Sequence, residues 1–336
     1  MERGAPFEAG SEHLPDLEQC YRSAAGETGL GATRGAFGKT SPEVPLRFVQ
    51  FSTPSSGPRP GILTGDTVRP LDGLDSLRAF IALDASARAA AAQRLGEAVP
   101  LASVRLHAPL RPHKNVICVG RNYIAHAEEG ARARGEELKL PAVPTIFTKA
   151  PTSIADPDAT LQLDGQASQR YDWEAELALV IGTRCKNVRE ADALDVVFGY
   201  TCLNDISARD RQNATTQWFM GKTLDDTCPL GPWLVTSDEV GDPQQLEVTL
   251  RLNGTVKQHA ATSSMIFPVA RIIAYVSQGT TLEPGDIIAT GTPEGVGFAR
   301  TPPEFMQDGD VVEVEVSKIG VLRNRIAIEA PVTAPT

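Results

Sequence analysis

Three carboxylates set in apolar surroundings are where this sequence could do chemistry. Glu174 and Glu176 stand two apart in Tyr171-Asp172-Trp173-Glu174-Ala175-Glu176-Leu177-Ala178-Leu179-Val180-Ile181. That stretch reads as a buried β-strand, with aromatic and branched residues rising into an apolar run that stops at Gly182. On a strand, side chains at i and i+2 leave the same face, roughly 6.5–7 Å apart. Two like charges held that close in a partly buried wall repel, and burial raises the cost. A divalent cation between them is one remedy. Asp205 follows in the apolar setting Tyr200-Thr201-Cys202-Leu203-Asn204-Asp205-Ile206. The reading is a hard-metal site built from Glu174, Glu176 and Asp205. Glu313 and Glu315 form a second E-x-E pair, but valines alternate with them on an amphipathic strand, so they are expected to face water.

Other residues could serve such a site. His126 and Glu129 lie at i and i+3 of a helical run, neighbours on one helix face. A carboxylate beside an imidazole holds one tautomer and raises its proton affinity, making a general base. Lys222 follows a glycine in Trp218-Phe219-Met220-Gly221-Lys222-Thr223. Beside three carboxylates it would be anchored and charged, able to steady an oxyanion or a carboxylate. Thr290-Gly291-Thr292-Pro293-Glu294-Gly295-Val296-Gly297 offers backbone N–H groups and two hydroxyls as a cradle for a small carboxylate. It has neither the lysine of a P-loop nor the glycine spacing of a dinucleotide turn.

The elements that must position these residues are legible in outline. Residues 1–44 are rich in Gly, Ser and Glu and read as a mobile tail. Residues 45–107 read as a small α/β domain: strands at Pro45–Phe51, Gly61–Leu63 and Thr67–Leu71, then an Ala-rich helix from Leu74 to Leu95. Leu101–Pro112 reads as a linker. Residues 108–336 would form the catalytic domain. It has a strand ending at Gly120 and leading into the His126 helix, and a connector over Ala131–Pro144 that could let this helix move as a lid. A short strand ends at Lys149, and Asp156-Pro157-Asp158 reads as a loop. A helix is expected over Val188–Val197 and another from about Met265 to Ser277, with Pro268 in its first turn. Asn253-Gly254 marks a hairpin.

Composition narrows the function. The formal net charge of −10 argues against a nucleic-acid or anionic-membrane surface. The five cysteines are scattered, without a C-x-x-C pair, and read as reduced thiols in a cytoplasmic protein. No apolar run approaches ~18 residues, so no membrane span is expected, and no signal-peptide core follows Met1.

Taken in order, Gly120-Arg121-Asn122-Tyr123-x-x-His126-x-x-Glu129, Trp173-Glu174-Ala175-Glu176-Leu177, Asn204-Asp205-x-x-Ala208-Arg209-Asp210, Gly221-Lys222-Thr223, Ser263-Ser264-Met265-Ile266-Phe267 and the Thr290–Gly297 loop form a pattern. It resembles the fumarylacetoacetate hydrolase family over about residues 112–328. The resemblance implies an α+β fold, a mixed β-roll core with flanking helices, usually in a homodimer. It implies Mg²⁺ or Mn²⁺, occasionally Ca²⁺, on Glu174, Glu176 and Asp205. It implies that His126 and Glu129 activate water from a lid helix, and that Lys222 and Thr290 contact a 2-oxo acid substrate. Arg121, Gln212 and Gly291 are further candidate contacts. The expected activity is metal-dependent cleavage of a C–C bond in an acylpyruvate. The alternative is a decarboxylase, isomerase or hydratase of a 2-oxo dicarboxylate, either oxaloacetate or an aromatic ring-cleavage product.

Overall fold

The computed structural model describes residues 46–329; the expected tail at 1–44 lies outside them. The first strands are β1 (Arg47–Thr53), β2 (Ser56–Thr64) and β3 (Thr67–Pro70). Two short helices follow, α1 (Leu77–Ile81) and α2 (Ala85–Ala92). The single Ala-rich helix expected here is interrupted because Asp84 caps a new start, its carboxylate accepting from the Ala87 N–H at 2.8 Å.

The segment read as a linker carries a strand, β4 (Arg105–His107), paired with β1. Asp156, in the loop expected around Pro157, ties it down. Its carboxylate accepts from the Ala108 N–H at 3.0 Å and Arg111 Nη2 at 2.9 Å, and lies 2.9 Å from His107 Nδ1.

The chain continues through β5 (Val116–Gly120), α3 (Ile124–Arg134), β6 (Thr145–Lys149) and β7 (Thr160–Leu163). Then come β8 (Tyr171–Asp172), β9 (Ala175–Ile181), β10 (Val197–Asn204) and β11 (Ser207–Ala208). A 3₁₀ helix over Glu190–Val196, rather than an α-helix, precedes β10. Two one-turn helices, α4 (Arg209–Gln212) and α5 (Phe219–Lys222), lead to β12 (Cys228–Thr236). The last elements are β13 (Glu247–Leu252), β14 (Thr255–Ala261), α6 (Val269–Ser277), β15 (Ile287–Ala289), β16 (Val311–Val316) and β17 (Gly320–Ile328). Helix α6 starts later than expected. Pro268 is its N-cap, and Met265 is extended and bridges Tyr123.

These strands build a 12-stranded mixed sheet whose main path runs β3-β2-β1-β12-β10-β9-β15-β5-β6, and a 5-stranded sheet ordered β14-β13-β16-β17-β7. Because β1 pairs with β12, the first strands and the central strands share one sheet. The architecture is α+β, a mixed β-roll with few helices.

Strand β9 explains why its sequence shows no alternation. Leu177, Leu179 and Ile181 join the core between the two sheets, whereas Ala178 and Val180 join the core beneath Phe48 and Phe80. All seven of its residues are buried, so both faces must be apolar. Strand β16 shows the contrast expected: its valines at 312, 314 and 316 are buried, while Glu313 and Glu315 make surface pairs with Arg323 and Arg251. Among the described residues no helix is long and apolar enough to cross a membrane.

Candidate active site

The expected continuous strand over 171–181 is broken. Trp173 and Glu174 lie between β8 and β9, because side chains there take over the backbone hydrogen bonding. The Asp172 carboxylate accepts from the Trp173 N–H at 2.8 Å, and Asn204 Oδ1 accepts from the Glu174 N–H at 3.1 Å. The Glu174 carbonyl in turn accepts from the Asp205 N–H at 2.9 Å. The break does not separate the acids. Glu174, Glu176 and Asp205 each offer an oxygen within 4.8 Å of the others, and all three are buried.

Cations surround two of the three. Lys222 Nζ donates to Glu174 Oε2 at 2.7 Å and to Asp205 Oδ2 at 2.6 Å. Lys149 Nζ donates to Asp205 Oδ1 at 2.8 Å, and Arg209 Nη1 lies 2.8 Å from Glu174 Oε1. Burial pushes the Glu174 carboxyl up, but Lys222 and Arg209 outweigh it and hold the group well below the usual carboxylate range. Glu176 has no such partner. Among the described residues its carboxylate accepts one hydrogen bond, from the Gly291 N–H at 2.8 Å. Burial, then the charges of Asp205 and Glu174, push its carboxyl well above the ordinary value.

A buried, all-oxygen cluster with one uncompensated carboxylate fits a hard divalent cation. Lys222 is anchored beside the carboxylates, as its setting in the sequence led us to expect, and it also lines the cleft. It bridges two of the three candidate ligands and competes with a cation for the same oxygens.

The His126–Glu129 pair forms as its spacing predicts. His126 Nδ1 lies 2.9 Å from Glu129 Oε1 on α3. A carboxylate at Nδ1 keeps the proton there and leaves Nε2 as the basic nitrogen. Glu129 Oε2 also accepts from the Gly295 N–H at 2.9 Å, so the same side chain pins α3 to the glycine-rich loop.

That loop differs from the expected cradle for a substrate carboxylate. The N–H groups of Gly291, Gly295, Gly297 and Phe298 bind the protein's own Glu176, Glu129 and Asp172. Gly291 is required for this. Its φ is +98°, and a Cβ there would lie 2.7 Å from Asn122 Cβ. Asn122 cannot retreat, because its side chain holds the Thr290 carbonyl at 2.7 Å and the Phe267 N–H at 2.8 Å. We expect Gly291→Ala to destabilise the fold by about 2 kcal/mol, read from a denaturant midpoint, and to weaken metal binding by shifting Glu176.

A cleft of about 240 Å³ opens onto the cluster. His126, Glu174, Glu176 and Lys222 line it, and so do the candidate contacts Arg121 and Gln212. Gln212 is held by Arg209, whose Nη1 donates to Gln212 Oε1 at 2.9 Å. Thr290 is not on this surface. Its hydroxyl is spent on the Leu177 carbonyl at 2.8 Å, and Thr292 lines the cleft instead.

Three residues of the site escaped the sequence reading. Lys149 is wholly buried against Asp205. Asp172 holds Arg209 Nε at 2.7 Å. Arg209 lines the cleft and is 5% exposed, yet its Nη2 has no hydrogen-bond partner. A buried cationic donor without a partner is costly, and a ligand oxygen would satisfy it.

A mixed β-roll that buries three carboxylates, two of them lining a cleft, with a His–Glu pair on the neighbouring helix, defines an enzyme of the fumarylacetoacetate hydrolase type. Residues 115–327 match the fumarylacetoacetate (FAA) hydrolase C-terminal family, and residues 46–109 match the Rv2993c-like N-terminal family. The chain belongs to the fumarylacetoacetate hydrolase family. It is 44% identical to the oxaloacetate tautomerase YisK of Bacillus subtilis over 227 residues, 67% of this chain and 74% of that protein. It is 40% identical to the mitochondrial oxaloacetate tautomerase fahd2 of Xenopus laevis over 299 residues, 85% of this chain and 92% of that one. Among solved structures, a fumarylacetoacetate hydrolase from Exiguobacterium antarcticum aligns with a TM-score of 0.72 and 36% identity, covering 84% of this chain and all of that one (100%).

Proposed function

We propose that the protein is an isomerase of 2-oxo dicarboxylates, interconverting the keto and enol forms of oxaloacetate with a divalent cation, Mg²⁺ or Mn²⁺, held by Glu174, Glu176 and Asp205. The observation that carries this is the placement of His126, oriented by Glu129, on the same small cleft as the acid cluster and the unpartnered Arg209 Nη2. The names of the two relatives support oxaloacetate as the substrate.

In the keto form C3 carries two hydrogens. His126 Nε2 takes one of them, the electron pair moves to the 2-oxygen, and return of the proton from the imidazolium to that oxygen, directly or through water, completes the enol and restores the base. A divalent cation, when bound, supplies Lewis acidity to the 2-oxo group. Arg209 Nη2 would hold the adjacent C1 carboxylate, and Lys222 would balance charge as it grows on oxygen. The cleft is smaller than the roughly 300–1,000 Å³ typical of drug-sized ligands, in keeping with a four-carbon substrate.

The test follows the ultraviolet absorbance of freshly dissolved enol-oxaloacetate with and without EDTA, alongside assays for pyruvate and CO₂. The expected result is metal-dependent loss of the enol signal with no product beyond background. Stoichiometric pyruvate with CO₂ would instead mark a decarboxylase, and pyruvate with a carboxylic acid released from an acylpyruvate run in parallel would support the second reading, C–C hydrolysis. One observation favours that alternative: a His–Glu pair of this geometry could equally activate water. The working form proposed with the activity is a homodimer in the cytoplasm, consistent with the four described cysteines being free thiols.

A further inference from the structure

The outer end of the cleft carries a feature that neither the acid cluster nor the His–Glu pair uses. Arg121 sits in the turn before α3 with φ at +57°, and its guanidinium lies 5.5 Å from the Trp218 ring centroid. Trp218 packs 5.5 Å from Phe147, and Phe147 lies 4.9 Å from Lys222 Nζ. Two aromatic rings thus form a wall leading from the carboxylate cluster to Arg121.

Arg134 is the last residue of α3, about 15 Å along the helix by backbone rise. Its side chain runs back toward the helix N-terminus, as helical side chains do. The guanidinium lies over Gly130, where a Cβ would stand 3.3 Å from Nη1. It thereby reaches the same cleft as Arg121 and Trp218.

These two cations are close enough to oppose each other. Burial, then the Arg134 charge, holds the Arg121 guanidinium below its ordinary value, and Glu136 offsets this in part. Arg134 Nε donates to Glu136 Oε2 at 2.8 Å. Among the described residues, Nη1 and Nη2 of Arg134 and the whole Arg121 guanidinium have no hydrogen-bond partner. In a chain of net charge −10, two converging arginines at the mouth of one cleft, with Glu136 beside them, stand out as a local concentration of positive charge.

We propose that Arg121 and Arg134 bind the second carboxylate of the substrate, so that the cleft selects 2-oxo dicarboxylates over 2-oxo monocarboxylates. This rests on the isomerase reading and deepens it. A guanidinium fork matches a carboxylate in two parallel hydrogen bonds, a geometry an ester cannot reproduce. Glu136 holds Arg134 in place and competes with the incoming carboxylate for it.

The experiment compares oxaloacetate with its 4-methyl ester, nearly equal in length but one charge poorer. It uses the wild type, Arg134→Met and Glu136→Gln with Mg²⁺ present. The wild type should prefer the diacid. Arg134→Met should lower the diacid-to-ester ratio of kcat/KM by about tenfold or more, and Glu136→Gln should raise it severalfold. An equal effect of Arg134→Met on both substrates would overturn this carboxylate site.

Binding of the 3,3-difluoro analogues, which cannot enolise, is measured by calorimetry in parallel. A wild type that turns over neither compound, yet loses diacid-selective binding through Arg134→Met, would refute the isomerase reading and leave the carboxylate site standing. Turnover without selectivity, or selectivity unchanged in Arg134→Met, would do the reverse.

Discussion

Glu176→Gln is expected to abolish divalent-metal binding and bring turnover down to the uncatalysed rate. Glu174 and Asp205 already have cations at hydrogen-bond distance, but Glu176 has only the Gly291 N–H. Its full charge is therefore the part of the cluster that a metal ion alone would balance. Glutamine keeps the shape and removes that charge, so the cluster loses its reason to bind a dication.

The change also has a sign in stability that separates it from simple damage. Without metal, Glu176 is repelled by Asp205 and Glu174 in a buried setting. The variant should therefore melt no lower than the metal-free wild type. Adding Mg²⁺ or Mn²⁺ should raise the Tm of the wild type, as any ligand of the folded state does, and leave the variant unmoved. Calorimetric titration with Mn²⁺ and thermal melts with and without metal check both parts. Unchanged metal stoichiometry in the variant would remove Glu176 from the ligand set. Glu174→Gln is a less clean probe, because it strips a partner from two buried cations, Lys222 and Arg209, at once.

How much of this was legible in the sequence depends on the range of each interaction. The His126–Glu129 pair is local, three residues apart on a helix, and its hydrogen bond follows from helix geometry alone. The Glu174–Glu176 pair was legible for a reason only half right. The two carboxylates do converge, but through a break in the strand set by Asp172 and Asn204 rather than through an unbroken pleat. The glycine-rich loop was read as an anion cradle, and it is one. Which anions fill it could not be read, since Glu129 and Gly295 stand 166 residues apart.

Lys149 and Arg209 were missed on the same ground. Lys149 reaches Asp205 across 56 residues and Arg209 reaches Asp172 across 37. A lysine at the end of a strand looks like any solvated terminus until the partner strand is known. The two-faced burial of β9 was visible as an apolar run, but periodicity alone does not reveal that the first strands would cover one of those faces.

The second large effect is expected at His126. His126→Ala should keep the metal and lose catalysis by about 10²-fold or more, the usual contribution of a positioned general base. The structure makes this a clean separation. His126 touches none of the three candidate ligands by hydrogen bond, and Glu129 remains fastened to the Gly295 N–H after the imidazole is gone. The helix therefore stays docked, metal affinity should hold, and the loss should fall on kcat with little change in KM. The truncation also leaves an imidazole-sized vacancy on the cleft, beside a carboxylate already poised to orient whatever fills it. Added imidazole should then restore part of the rate, in a saturable manner, to His126→Ala but not to Glu176→Gln. Full turnover in His126→Ala, or a loss that no added base repairs, would mean that proton transfer at C3 is carried by another group. Lys222 would be the first to examine, since it is an amine buried at the floor of the same cleft.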